Sequence, residues 1–477
     1  TAFLLAAGTV LIKRRLWSYN LGWVGFGVMT LAAILALTGI FLGASVTYNA
    51  PIPLTRQYPA AWLVYLSFVT LSLGMALVVV DFIMTIFGAV ERKLSLKAWA
   101  SFFKEMPIAT FAATAGLFIA VPGLIAAIKI FGFAFLWSLG IGSILPGAFR
   151  MNWHIVFHIY HYIPALALVG VAYILVEATA DAKSVYAKQV AKALFLLYPF
   201  FVPPTFIYHL LVDPNLPYNV KFIGTTLSLL VGVPTVLHMF VILGMLEARM
   251  RQAGYGFFSW LKHLPWGNPA FGSMAMGMVT LFWGGLLSYI LIQEQLSPLL
   301  HNTFVVPAYI HSMAAGGANI TYMGALYYAL PVLLGRRLWG LRLARVQPYL
   351  MGAALLIMST FGALAGLAGV PRRYAGVLDA SGSWPLWMNL SLGLGGILAI
   401  IAGVTFILIM LRTAMAREKA DSVEESIKGM EAPSLISKVA YNRTPVALIP
   451  SFVFILGIIT LTLFAFGYFW SMPIQMR

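Results

Sequence analysis

The sequence predicts an all-α integral membrane protein with about twelve transmembrane helices. Of its 477 residues, 61% are hydrophobic and only 9% are charged, whereas soluble domains carry about 25% charged residues. The apolar residues form long runs, and most of these reach the roughly 20 residues that a helix needs to span a bilayer. We therefore expect a single polytopic membrane domain over residues 1–477.

The predicted spans follow the apolar runs in chain order. The first run is short and starts at Thr1, so we expect it to continue a helix that begins upstream. The polar stretch 413–443 before the last span is predicted to be a cytoplasmic linker. The predicted spans are 1–12, 19–44, 59–88, 106–130, 150–176, 190–211, 220–247, 269–292, 303–334, 347–369, 384–412 and 447–470.

The basic residues alternate from one predicted loop to the next. One set of alternate loops holds 23 of the 30 lysines and arginines. Basic loops stay on the cytoplasmic side of a membrane, so this set is predicted to be cytoplasmic and both termini of the chain to face outward. The net charge of +16 then reflects topology and contact with anionic lipid, and not nucleic-acid binding.

The absence of cysteine and the rarity of intramembrane carboxylates limit the kinds of site that the chain can form. The chain has no cysteine, which excludes disulfides, iron–sulfur clusters, thiolate zinc sites and a cysteine-ligated dinuclear copper centre within it. Carboxylates are rare in the apolar runs, and Asp81 near an inner helix end is the clearest one. Ion-coupled transporters usually need buried carboxylates near the midplane, so this pattern weakens a transporter interpretation.

Six of the eight histidines fall near the outer ends of predicted spans. At 1.5 Å per residue they fit within roughly the outer 15–20 Å of the membrane. Intramembrane histidines are costly and often bind a metal or a heme iron. His154, His158 and His161 share one helix face, because their spacings are four and three residues. The full set is His154, His158, His161, His209, His301 and His311.

Four sequence blocks resemble, in order and spacing, signatures of a known family. They are LHNTFVVPAYIH at 300–311, YHLLVDP at 208–214, LPWGNPAF at 264–271 and GVPRRY at 369–374. The resemblance is to the catalytic subunit I of heme–copper oxidases, in particular the B-type branch. It implies a subunit I-like bundle that lacks helix I and part of helix II. It also implies a prokaryotic plasma membrane.

The resemblance assigns roles to the residues that match it. His311 matches a ligand of the low-spin heme b, whose other histidine would lie upstream of Thr1. His301 matches the histidine beside the propionates of the second heme. Arg372 and Arg373 match the pair that neutralises heme propionates, for which a bidentate guanidinium is well suited.

The copper site is matched only in part. His154 and His209 correspond to copper ligands of the family. A second alignment of this helix, anchored on Pro164, would place Trp153 at the first of these positions. In that second alignment the copper ligand on this helix is lost, so the resemblance leaves open whether His154 is a copper ligand.

The sequence departs from the family at the reactive centre. Tyr309 stands where the family has the proximal histidine of the oxygen-binding heme. Tyr208 stands where the family has another copper ligand, and His158 stands where it has the reactive tyrosine. In the family's K-type proton path, Thr235 fits its polar position and His238 replaces a threonine. Tyr309 can still ligate a second heme, which makes Tyr309 and His158 the candidate catalytic residues.

Three interpretations follow. In the favoured one, the chain keeps heme b but has lost the binuclear centre, because three of its standard parts are missing together. In the second, it is an active oxidase or nitric-oxide-reductase-like enzyme with copper or non-heme iron on His154, His158 and His209. In the third, it is a channel or transporter with the same helix pattern.

The predicted partners follow from the redox groups that the chain lacks. They are other membrane subunits of a respiratory complex, including an electron-donor subunit with a copper or cytochrome domain, or quinol. A small subunit that supplies the missing helices is also expected, as is lipid, and no nucleic acid is expected.

Overall fold

The computed structural model describes residues 6, 8–44, 58–89, 96–183, 185–211, 216–293, 296–372, 382–416, 419–430 and 451–471. These residues are mostly helical, and the only extended pairing among them consists of two isolated bridges. Contacts between Cα atoms divide the chain into two compact units, and the prediction of a single domain stays a prediction.

The first unit comprises Thr1–Gly170 and Phe195–Phe206. Its helix Ala61–Ala89 packs against the helices Tyr19–Phe41 and Ile108–Ser138. The helix Tyr19–Phe41 begins after Ser18, whose side chain accepts a hydrogen bond from the Leu21 amide and caps the helix. The helices are Tyr19–Phe41, Ala61–Ala89, Leu96–Glu105, Ile108–Ser138, the first part of Pro146–Ala180, and Tyr198–Phe201.

The second unit comprises Val171–Leu194 and Ile207–Arg477. Asn268 caps one of its long helices by accepting hydrogen bonds from the amides of Ala270 and Phe271, and Pro269 occupies the first helical position. Its helices after residue 211 are Tyr218–Leu230, Gly232–Gln252, Ser259–His263, Pro269–Leu291, Ser297–Leu300, Val305–Ile310, His311–Ile320, Thr321–Leu334, Leu341–Leu367, Trp384–Met388, Asn389–Gly395, Gly396–Met415, Val423–Ser426 and Phe452–Ser471.

The described residues contain eight helices that are long and apolar enough to span a membrane, or up to nine if one bent pair is a single span. The prediction of a helical membrane bundle is confirmed. The predicted span 303–334 is not among the eight; it consists of the segments Val305–Ile310, His311–Ile320 and Thr321–Leu334. The predicted span 1–12 lies partly outside the described residues.

The predicted span 190–211 is bent by 48°. It consists of helical pieces followed by the 3-10 segment Pro203–Leu210. Pro203 and Pro204 cannot donate backbone hydrogen bonds, which favours a break at this point. The break makes His209 and its neighbour Tyr208 part of a tight 3-10 turn and not of a straight helix.

A π-helix occupies His311–Ile320. It packs closely on the helix Pro269–Leu291, since Ser312 donates a hydrogen bond to the Thr280 carbonyl at 2.8 Å. A Cβ atom at Gly316 would lie only 2.6 Å from Thr280 Cβ, so glycine permits this approach. π-Helical segments often occur at functional sites, and this one begins at a predicted heme ligand.

Candidate functional site

Two tyrosines from distant parts of the sequence meet in the second unit. Tyr208 lies in the 3-10 segment Pro203–Leu210 and Tyr309 in the helix Val305–Ile310. Their hydroxyl oxygens are 3.0 Å apart, which is a hydrogen-bond distance. The two side chains are only 7% and 8% exposed. The two buried hydroxyl groups are therefore hydrogen-bonded to each other.

Two histidines lie beside this tyrosine pair. His209 Nδ1 and His301 Nε2 are 2.8 Å apart, and both side chains are buried. The ring of Tyr208 lies against that of His209, with 4.0 Å between the ring centroids. The structure thus brings together four polar side chains of the second unit, Tyr208, His209, His301 and Tyr309, three of which belong to the predicted site.

Arg372 is held next to His301 by backbone pairing. Its amide donates to the Asn302 carbonyl at 3.0 Å, and the Phe304 amide donates to the Val370 carbonyl at 2.8 Å. One terminal nitrogen of the Arg372 guanidinium lies 3.4 Å from His301 Nδ1 and 3.3 Å from the Asn302 side-chain oxygen. Arg373 lies outside the described residues.

The position of Arg372 favours one tautomer of each histidine. A guanidinium only donates hydrogen bonds, so His301 Nδ1 is the acceptor. Neutral His301 then carries its proton on Nε2 and donates it to His209 Nδ1. His209 consequently carries its own proton on Nε2. In this arrangement neither nitrogen of His209 presents a lone pair to a metal.

His154 and His158 lie on the helix Pro146–Ala180 in the first unit, and both are buried. The Thr205 hydroxyl donates to the Val202 carbonyl at 2.6 Å, so it accepts from His158 Nδ1, 3.0 Å away. His158 Nε2 therefore carries the lone pair, which is the form that ligates metals. His161 is exposed.

The predicted three-histidine metal site draws on residues of both units. His154 and His158 belong to the first unit, and His209 belongs to the second. Within the described residues, no group of three or more histidine or acidic side chains is placed to hold a metal ion. Metal binding by these three residues stays a prediction.

Trp153, the alternative to His154, is buried in an apolar cluster of the first unit. Its ring lies 5.5 Å from that of Phe131 and 5.7 Å from that of Phe149, measured between centroids. These contacts are typical of a packing residue.

His311 is exposed and begins the π-helix. Its Nδ1 lies 2.6 Å from the Pro307 carbonyl oxygen, so it donates to that carbonyl. Nε2 is left as the nitrogen that can ligate a metal. A backbone carbonyl that fixes the second ring nitrogen is the usual support for a metal-ligating histidine.

The two proton-path candidates lie one turn apart on the helix Gly232–Gln252. Thr235 donates to the Val231 carbonyl at 3.4 Å. His238 is fully buried, and its Nδ1 lies 2.9 Å from the Tyr173 hydroxyl. A proton-transfer role for either residue stays a prediction.

Sequence analysis did not single out Thr205, Tyr173 or Asn302, each of which contacts a candidate residue. Asn302 directly follows His301, so its proximity was available from the sequence. Thr205 and Tyr173 are 47 and 65 residues from their histidine partners. No local spacing indicates such contacts.

The comparisons with known proteins now decide the family. A family model described as cytochrome c and quinol oxidase polypeptide I matches residues 1–398. The chain belongs to this family. The resemblance drawn from the four sequence blocks is therefore confirmed, and the family implies heme and copper cofactors.

Related sequences agree with this assignment. Cytochrome c oxidase subunit 1 of Thermus thermophilus is 31% identical over 271 residues, which are 55% of this chain and 47% of that protein. Cytochrome c oxidase subunit 1 of Albinaria turrita is 29% identical over 157 residues, which are 33% of this chain and 78% of that protein. The alignment thus spans about half the length of the Thermus relative.

A solved structure shares the fold. A heme–copper terminal oxidase dimer determined by cryo-EM gives a TM-score of 0.75 at 21% sequence identity. The match covers 89% of this chain and 74% of the other. This similarity supports the subunit I-like helical bundle.

Proposed function

We propose that this oxidase-family chain is a heme-binding subunit of a respiratory electron-transfer complex and that its heme–copper binuclear centre has been lost. The contact between Tyr208 and Tyr309 carries this proposal. In the family pattern, one position ligates the oxygen-binding heme and the other ligates copper. The two hydroxyl oxygens are hydrogen-bonded at 3.0 Å, and no iron–oxygen–copper unit fits between two oxygens at this distance.

The copper position gives independent support. His209 matches a copper ligand of the family, but in the tautomer that Arg372 favours its Nδ1 accepts from His301 and its Nε2 carries the proton. A neutral imidazole ligates through its lone pair, so this arrangement does not fit copper. The residues at the oxygen-binding heme and at copper both favour hydrogen bonding over metal ligation.

The low-spin heme position has the residue that its cofactor needs. His311 is exposed and donates Nδ1–H to a carbonyl, which leaves Nε2 as the nitrogen that would ligate a heme iron. A heme b ligated there would carry single electrons. The electrons would come from a donor subunit with a copper or cytochrome domain, or from quinol, in a prokaryotic plasma membrane with the basic loops in the cytoplasm.

A second candidate function rests on His158. Its Nε2 carries the lone pair, because Thr205 accepts from Nδ1. Together with His154, it would ligate copper or non-heme iron in a rebuilt site of an active oxidase or nitric-oxide-reductase-like enzyme. One equivalent of copper or iron in the purified protein, lost in His154→Ala, would favour this second function.

The heme assignment is tested by His311→Ala. We expect the purified variant to lose most of its heme b, because the axial nitrogen is removed. His161→Ala is the matched control, since His161 is also an exposed histidine of a predicted outer segment. Heme content per chain is read from the pyridine hemochromogen spectrum. A full complement of heme in His311→Ala would contradict the assignment.

A further inference from the structure

A cavity of about 410 Å³ lies in the first unit, between the turn before its first described membrane helix and the end of its second. Lys13, Arg14 and Arg15 belong to its lining. Trp17 and Met84 also line it, and they are 55% and 38% exposed. The cavity therefore combines three cationic side chains with accessible apolar surface.

The turn that carries these cations is fixed to the neighbouring helix Ala61–Ala89. The Trp17 amide donates to the Thr85 hydroxyl at 3.0 Å, and the Ser18 amide donates to an Asp81 carboxylate oxygen at 2.9 Å. These bonds join residues 68 and 63 positions apart. The cationic turn thus has a defined position beside the helix end.

The chemistry of the lining indicates its ligand. Among the described residues that line the cavity, none is acidic, and three adjacent cations favour a phosphate group. A free phosphate has no apolar group that could contact the apolar part of the lining. The indole of Trp17 combines an apolar body with a polar N–H, a combination typical of the level of lipid headgroups.

We propose that this cavity is a binding site for an anionic phospholipid. The headgroup phosphate lies against Lys13, Arg14 and Arg15, and the upper acyl chain lies along Trp17 and Met84. The site goes beyond the proposed electron transfer, and it does not depend on the state of the heme or copper positions.

The test compares Arg14→Gln/Arg15→Gln with Lys262→Gln/Arg342→Gln in detergent-purified protein. The control removes two exposed basic residues from other loops of the same predicted side. The probe is fluorescent phosphatidylglycerol. We expect the first variant to bind it at least about tenfold more weakly, given the strength of basic side chains on anionic surfaces. The control should change binding less than about twofold.

Three results would overturn the proposal. Equal weakening in both variants would mean that only net charge matters. Phosphatidylcholine binding as tightly as phosphatidylglycerol would remove the need for an anionic group. Displacement of the lipid by inorganic phosphate at equal concentration would assign the cavity to free phosphate.

The wild-type chain provides a readout that does not depend on a variant. Phosphatidylglycerol with a photoreactive group high on one acyl chain should cross-link to the peptide that contains Met84 or the peptide that contains Trp17. Cross-linking spread over other membrane helices, without enrichment at these two peptides, would contradict the proposed position.

Discussion

The two tyrosines at the reactive centre constitute one physical change. A buried hydroxyl without a partner costs about 1–3 kcal/mol, so a single histidine-to-tyrosine replacement at either position would leave a burial cost. Tyr208 and Tyr309 satisfy each other at 3.0 Å. This coupling explains why two departures from the family pattern occur together, and it favours a packed polar contact over a cofactor pocket.

A double-mutant cycle tests this coupling. Tyr208→Phe and Tyr309→Phe should each lower the free energy of unfolding by about 1–3 kcal/mol, because each leaves a buried hydroxyl unsatisfied. The double variant should cost less than the two single costs added, because both hydroxyls are removed. Unfolding is measured by titration of the purified chain with sodium dodecyl sulfate. Strict additivity would contradict the hydrogen bond.

Spacing predicted some of these contacts and not others. The outer histidines were expected to gather, and His209 and His301 do lie in contact. The contact between Tyr208 and Tyr309 joins residues 101 positions apart and was not expected. Arg372 was expected at a heme propionate, and the structure adds its bond to His301. Such contacts depend on packing between segments, which periodicity does not report.

At the scale of the element, apolar runs predicted where helices lie but not their internal form. The runs at 19–44, 59–88 and 269–292 became helices with nearly those bounds. The run at 303–334 contains the π segment His311–Ile320, since close packing and not hydropathy sets the turn geometry. The bend near Pro203 had a local signal in its two prolines.

The last described helix, Phe452–Ser471, is tied to the helix Gly232–Gln252 by a buried carboxylate. Glu247 accepts hydrogen bonds from the amides of Phe452 and Val453, at 3.0 and 2.9 Å, and from the Ser451 hydroxyl at 2.7 Å. We expect Glu247→Gln to lower the free energy of unfolding by about 1.5–3 kcal/mol, since charged hydrogen bonds contribute that much. The exposed Glu424→Gln is the control, and equal effects in a detergent titration would contradict this role.

The linker carries a pH-dependent contact. Hydrogen bonding from the Asp421 amide, and then from the Arg337 side chain, holds the pKa of Glu425 below its ordinary value of 4.5. Because its pKa is lowered, ionised Glu425 stabilises the docked linker at pH values above its ordinary pKa. This contribution is lost as the pH falls through the lowered pKa. We expect amide exchange over 421–428, corrected for intrinsic rates, to rise only below about pH 4.5.

Arg337→Gln provides the comparison for this prediction. It removes one cause of the lowered pKa, so the rise in exchange should begin at higher pH than in the wild-type chain. Identical exchange profiles for the two proteins would show that the ion pair between Arg337 and Glu425 does not hold the linker.

At the scale of the whole molecule, composition and charge were enough for the fold class. The apolar runs and the bias of 23 basic residues to one set of loops predicted the membrane bundle, and the family match over 1–398 agrees. Composition and charge do not predict the chemistry of the site, because it depends on a few side chains. The proposal of an electron-transfer subunit rests on four of them, at 208, 209, 301 and 309.

The most direct test of this account is the optical and EPR spectrum of the purified complex, oxidised and reduced, with and without carbon monoxide, together with metal analysis. Carbon monoxide binds a heme iron with an open position, and a chain without the binuclear centre holds no such heme. We expect the spectrum of low-spin heme b only, no shift with carbon monoxide, and no copper or non-heme iron assigned to the chain. A carbon-monoxide-binding heme in this chain would contradict the loss of the binuclear centre.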